Sequence, residues 1–213
     1  MSSPSQLKDI SLFNDPILSD VKIRQIYKGK TKEYFAHKAN LSAHSKWFLK
    51  AFTGNFKEAT EHSVEVLDDD PRAFEYMLKF MYTNEIVLPP VQCPNHKTKI
   101  DRDILTPIRL YILADKYEIA PLLRHTSSQV AAAMNTHSSL LKGEAVPTIV
   151  AAYYNCCTCA RSVMGDAIAS GLIKSPSRWL GHGDKEALGS LVIAHSHFAA
   201  DLILALRNAG RLR

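Results

Sequence analysis

Three cysteines crowd into four positions, Cys156-Cys157-Thr158-Cys159, and thiolates so close together are the donors a zinc ion takes. A closed site needs a fourth ligand. The remaining cysteine, Cys93, stands about sixty residues upstream in a Cys-Pro-Asn-His segment, with no paired C-x-x-C to match it. The other reading of the cluster is a buried or partly buried set on a helix. Either way the four cysteines do not make a disulfide framework, and they read as reduced thiols in a cytosolic or nuclear protein.

Histidines offer the next chemistry. The stretch FAHKANLSAHSKWFLKAF, residues 35–52, carries His37 and His44 among three lysines and four aromatic rings. His37 precedes a helix and His44 lies within it, so no pair one turn apart is available to grip a metal. His195 and His197 are two apart, which on a helix points their rings about 200° apart. The Gly-His-Gly-Asp run at 181–184 reads as a loop. Asp68, Asp69 and Asp70 could hold a divalent ion weakly, but capping of the helix that follows explains them. No Gly-rich phosphate loop, G-x-S-x-G or H-E-x-x-H motif occurs. The residues therefore suggest no catalytic, cofactor-binding or metal site, and a non-enzyme without a cofactor is expected.

Composition sets the same limits. A chain of 213 residues, 46% apolar and 22% charged, buries about 70% of its unfolded surface without help from disulfides or metal. Its net charge of +5 is thinly spread, over Lys28, Lys30 and Lys32 and again over Arg207, Arg211 and Arg213. A solvated surface explains that pattern better than a nucleic-acid groove. No apolar run approaches the roughly eighteen residues of a membrane helix. The start, MSSPSQLKDISLFNDP, has no secretory pattern. The expectation is an intracellular protein, cytoplasmic or nuclear, without membrane or nucleic-acid partners.

The elements that must position these residues follow from periodicity. Val21 and Ile23 alternate with Lys22 and Arg24 as in a strand, Lys28-Gly29-Lys30 turns the chain, and KEYFAH returns, which makes a hairpin. Leu41, Ser45, Phe48 and Phe52 share one helix face, with Lys46 and Lys50 pointing elsewhere. Residues 63–67, SVEVL, alternate as a third strand. Asp70 then caps a helix starting at Pro71, whose buried face is Phe74, Met77, Leu78 and Met81. Asn84 is suited to a left-handed turn, and Ile86 to Leu88 read as a brief strand. Residues 89–103 read as a long exposed loop. Thr106 and Pro107 then open a helix with Leu110, Ala114 and Tyr117 on one face, Pro121 starts another, and from about residue 126 the chain is nearly all helix-prone.

The order of these elements, with particular residues, resembles a BTB/POZ domain over residues 17–125. The resemblance rests on SDV at the hairpin entry, FAHKANLSAHSKWFLKAF, FKEA after the helix, AFEYMLKFMYTNEI, and LYILADKYEIAPL. It implies an α+β fold, with helices clustered around a small mixed β-sheet, and places a short N-terminal segment at 1–16. Residues 126–213 resemble the all-helical C-terminal extension of short fungal BTB proteins.

The resemblance also implies a function in joining proteins, as a homodimer or a BTB heterodimer. In the family, residues at the Asp20 and Lys38 positions line a charged pocket near the dimer seam. If Asp20 is buried, losing Lys38 would cost roughly 3–5 kcal/mol. Members that recruit the cullin-3 scaffold of a ubiquitin ligase carry a hydrophobic-x-Glu element, which Phe56 and Glu58 match by type. There an aromatic anchor fills an apolar groove and a carboxylate fixes its orientation. The alternative is a dimerising scaffold in transcriptional or other complexes without cullin contact. A third class is a zinc- or nucleic-acid-binding protein built on the 156–159 cysteines and the basic residues.

Overall fold

The computed structural model describes residues 12–92, 94–157, 159–175 and 185–212. The chain divides into two compact units, Met1–Val87 with Tyr117–Ile119, and Leu88–Lys116 with Ala120–Arg213.

The first unit is built on a hairpin of β1 (Val21–Tyr27) and β2 (Lys30–Ala36), with β3 (Ser63–Leu67) parallel to β1 on its other side. The mixed three-stranded sheet has the order β2-β1-β3 among the described residues. Lys28 (φ 48°) and Gly29 (φ 74°) both take left-handed backbone, the turn that matches the twist of a two-residue hairpin. Val21, Ile23, Val64 and Val66 point into the core while Lys22 and Glu65 face water, so the period-two reading holds.

Helices α1 (Lys38–His44), α2 (Lys46–Thr53), α3 (Lys57–Thr60) and α4 (Pro71–Thr83) complete this unit. Asp70 caps α4 by accepting from the Ala73 amide at 2.9 Å, and Asn84 ends it in left-handed backbone. The continuous helix expected through 41–52 is broken at Ser45, which is extended (φ −129°, ψ 119°). Its hydroxyl oxygen accepts from the Phe48 amide at 3.1 Å and its proton goes to the Tyr117 carbonyl at 2.6 Å. A serine that satisfies a helix start and a distant carbonyl is more stable as a cap than inside a helix.

The second unit is helical among its described residues. It contains α5 (His96–Ile100), a π-helical turn (Asp101–Leu105), α6 (Thr106–Lys116) and α7 (Ala120–Thr136). A 3-10 turn (Ser138–Leu140), α8 (Ala145–Tyr154), α9 (Val163–Lys174), α10 (Lys185–Ala194) and α11 (Ser196–Asn208) follow. Ile104, Ile108, Val130, Ile168 and Phe198 lie at the centre of its core.

Here several expectations are corrected. Residues 89–103 are not one loop: Asn95 and Thr98 form a reciprocal capping box that starts α5. The buried Ile100, Ile104 and Ile108, four apart, carry that helical face through charged neighbours that hid it. Thr106 is therefore not a cap, because the chain is already helical, and its amide donates to the Asp101 carbonyl five residues back. The widened π turn precedes Pro107, whose ring would crowd a regular helix and whose nitrogen cannot donate. Ile86 to Leu88 belong to none of the described strands.

Cys156, Cys157 and Cys159 do not sit on a helix. Cys156 and Cys159 are exposed and Cys157 is half-buried in the connection from α8 to α9. Tyr153 and Tyr154 close α8 with their rings buried, and Cys157 packs against the core from the connection that follows. Cys93 and the 181–184 run lie outside the described residues. His195 is not within a helix either but at the 117° break between α10 and α11, with His197 in the first turn beyond. No single helix among the described residues is long and apolar enough to cross a membrane.

Candidate protein-binding surface

Three segments of the first unit converge on α3: the hairpin entry at Asp20, the start of α1 at Lys38, and the chain leaving α2 through Gly54. Phe56 occupies the cap position of α3 in extended backbone (φ −99°, ψ 156°), and 60% of its surface is open to solvent. Its ring lies close against Gly54, where a Cβ would come within 2.9 Å of two ring carbons and 2.7 Å of the Lys50 carbonyl. A residue larger than glycine at 54 displaces the ring. Leu49, on the solvent side of α2, is also exposed. Glu58 is half-buried in the first turn of α3, two positions beyond Phe56.

Phe56 differs from the other rings of this segment, which are absorbed by packing. Phe48 is fully buried, stacked on Phe52 (centroids 5.7 Å) and Tyr117 (5.5 Å), and Trp47 meets Phe48 edge-on at 4.9 Å. These contacts explain the aromatic density of residues 35–52 as core. His37 belongs with them. Its Nε2 lies 2.9 Å from the Ile17 carbonyl and its Nδ1 3.0 Å from the Tyr82 hydroxyl, so both ring nitrogens are used in holding the hairpin entry. Burial raises the Tyr82 phenol above its ordinary range, outweighing the His37 amide and Asn40 side chain that favour the ionised form.

Asp20 and Lys38 are brought together, but not as an ion pair. Asp20 is exposed, and its Oδ1 accepts from the Lys38 backbone amide at 2.7 Å, capping the first turn of α1 from another segment. The Lys38 ammonium instead donates to the carbonyls of Glu58 (3.3 Å), Ala59 (3.1 Å) and Glu61 (3.1 Å). It also lies 5.2 Å from the centre of the Phe52 ring, within cation–π reach. Because Asp20 is exposed, the large penalty for an unpaired buried charge does not apply to losing Lys38. Asp20→Ala is expected to cost about 0.5–1 kcal/mol, as loss of a helix cap does. Asp20→Asn, which keeps the acceptor, should lose no more than a few tenths, with both variants compared to wild type by urea titration.

Sequence reasoning missed Asp69. The sequence places it only in the Asp68–Asp70 run that capping explains, but left-handed backbone at Asp68 (φ 63°) follows β3 and Asp69 is buried. Asp69 is 5% exposed and accepts from the Tyr117 phenol at 2.5 Å, while its carbonyl accepts from the Gln25 side chain at 2.8 Å.

The arrangement presents one projecting aromatic ring and a neighbouring carboxylate on a short helix pinned at its far end. A sequence model of the BTB/POZ domain matches residues 10–132, more than half of this chain. The chain belongs to the BTB/POZ family. It is 30% identical over 115 residues to a BTB/POZ domain-containing protein of Arabidopsis thaliana, covering 54% of this chain and 13% of that protein. It is 33% identical over 72 residues to Kelch-like ECH-associated protein 1A of Danio rerio, covering 34% and 12% respectively. To Armadillo BTB Arabidopsis protein 1 it is 30% identical over 118 residues, covering 55% and 14%. The chain thus spans about one-seventh of these relatives or less. Among solved structures, the BTB domain of zebrafish PATZ1 is similar, with 21% identity and a TM-score of 0.36 over 52% of this chain and 73% of that one. The BTB/POZ domain is a protein–protein interaction module that forms homodimers and heterodimers, and its fold is not typically enzymatic.

Proposed function

We propose that this BTB/POZ chain is an adaptor that docks the N-terminal region of a cullin-3 scaffold through Phe56 and Glu58, and so brings a client to a ubiquitin ligase. The observation that carries this reading is the exposure of Phe56 beside a segment whose other rings are packed. A rigid ring that costs little conformational entropy to immobilise is the anchor an apolar groove selects, and a carboxylate two residues on can orient it by hydrogen bonding. The adaptor works in the cytoplasm or nucleus. The client is held by the helices beyond residue 126, which we assign as the extension that follows a domain at 17–125.

A second reading, a dimerising scaffold without cullin contact, draws support from Ile17 and Leu18, 54% and 81% exposed at the hairpin entry. Asp20 and Lys38 would then flank a self-association seam.

Calorimetry with the N-terminal region of a cullin-3 scaffold tests the adaptor. Wild type is expected to bind at micromolar strength or tighter. A Phe56→Ala, Glu58→Ala double variant should lose at least about 2 kcal/mol of binding free energy, as removal of a hot spot does. Absence of binding by the folded wild type rejects the adaptor, and light scattering on the same sample then decides whether self-association remains to be explained.

A further inference from the structure

Lys38 ends its side chain among the carbonyls of a segment some twenty residues away, and the chemistry of that ending is specific. An ammonium has three N–H donors, and here it meets three backbone oxygens, those of Glu58, Ala59 and Glu61. α3 is a single turn of four residues, closed internally by the Ala59 amide on the Phe56 carbonyl (3.1 Å) and the Glu61 amide on the Lys57 carbonyl (2.9 Å). One turn is too short to be stable by itself, because its nucleation cost is not recovered by propagation. α3 buries no residue against the core. What holds it must therefore come largely from outside the turn, and the Lys38 ammonium gathers the carbonyls at its C-terminal end.

From this geometry we infer that Lys38 is the positioning residue of the Phe56–Glu58 element, a latch that orders α3 before a partner arrives. The inference deepens the adaptor reading and rests on it for its functional consequence. Lys38 touches the backbone behind the element, not the partner. Its stem is fixed by α1, whose first amide is capped by Asp20, and its head is steadied by the Phe52 ring of α2. When the latch is closed, the ring of Phe56 and the carboxylate of Glu58 stand at a set separation and direction. When it is opened, the same side chains remain, but the partner must order the turn on binding, and that cost comes out of the affinity.

The test compares wild type, Lys38→Met and Lys38→Arg in the full chain. Methionine keeps an unbranched apolar side chain and removes every donor, while arginine keeps the charge and can still donate to carbonyls. Hydrogen exchange at the Ala59 and Glu61 amides reads the latch without any partner. Lys38→Met should speed exchange at both by about tenfold or more, the equivalent of one to two net hydrogen bonds, with Lys38→Arg recovering part of the protection. Affinity for the cullin-3 N-terminal region should fall roughly tenfold in Lys38→Met with the thermal midpoint little changed, and recover in part with arginine. Asp20→Asn, which keeps the acceptor that caps α1, should change neither quantity.

Unchanged exchange at Ala59 and Glu61 in Lys38→Met overturns the latch, whatever the binding result. Faster exchange with unaltered affinity for a scaffold that wild type binds overturns the positioning role. Should wild type bind no cullin-3 region, the adaptor reading fails on that fact alone, and the exchange data still decide the latch. If Lys38→Met proves too unstable to study, Lys38→Arg carries the test: its donors should preserve part of the protection at Ala59 and Glu61, and full loss of protection in that folded variant overturns the latch.

Discussion

Asp201→Ala should destabilise the helical unit by about 1–3 kcal/mol, because it removes the nearer acceptor of the buried Tyr154 hydroxyl, leaving it only the Gly165 carbonyl at 3.3 Å, and the acceptor of the part-buried Arg161 amide. Asp201 is 4% exposed on α11. Its Oδ1 accepts from the Arg161 amide at 2.7 Å and its Oδ2 from the Tyr154 phenol at 2.9 Å. One carboxylate thereby ties α11 to the end of α8 and to the connection leading into α9. Arg161 is in left-handed backbone (φ 66°), a conformation that costs a non-glycine residue energy and persists where neighbours enforce it. Burial, and then the Asp201 charge, hold the Tyr154 phenol well above its ordinary range, so it stays a neutral donor. Asp201→Asn keeps an acceptor but turns an N–H donor toward one of these donors, and should lie between wild type and Asp201→Ala.

Gly165 gives an independent check of the same centre. A Cβ there would meet Asp201 Oδ2 far inside van der Waals contact, so Gly165→Ala must push the carboxylate from its donors. Urea titration, with hydrogen exchange followed at α9 and α11, measures both substitutions. Near-wild-type stability in either would remove Asp201 from the role given to it here.

Tyr117 is the corresponding residue of the first unit. Its ring packs against Trp47 (5.2 Å), Phe48 (5.5 Å) and Phe74 (5.8 Å), its hydroxyl donates to Asp69, and its carbonyl accepts from Ser45. Burial raises the phenol well above its ordinary range, with the Asp69 hydrogen bond and charge acting in the same direction. Tyr117→Ala is expected to cost about 3–5 kcal/mol, the transfer and cavity cost of deleting a buried ring. Tyr117→Phe keeps the packing and removes only the hydroxyl, so its cost, about 1–3 kcal/mol, isolates the bond to the buried carboxylate. Equal losses in the two variants would show that the ring contributes little beyond its hydroxyl.

What could be read from the sequence was whatever depends on neighbours along the chain. The Lys28-Gly29 turn, the inward alternation of Val21 and Ile23, the Asp70 cap before Pro71 and the Asn84 stop are each set within a few residues, and each stands in the structure. Family membership was legible for a related reason: several local signatures recur in order between residues 17 and 125. Phe56 and Glu58 could be named only through that resemblance, and the exposure of Phe56 was not legible in the sequence.

Contacts between distant segments decided the rest. The helix through 41–52 breaks because Ser45 finds the Tyr117 carbonyl, 72 residues away. Asp69 rather than Asp68 enters the core because one residue goes left-handed and a tyrosine is there to donate. The isoleucines of 100–108 were masked by charged neighbours until a capping box and a π turn set their phase. Lys38 shows the limit most directly, since its side chain reaches past the nearby Asp20 carboxylate to the Glu58 and Ala59 carbonyls of α3 and the Glu61 carbonyl just beyond it. Periodicity reports which face of an element avoids water, but a hydrogen bond needs donor and acceptor within about 3 Å of each other. Only the folding of separate segments onto one another creates that proximity.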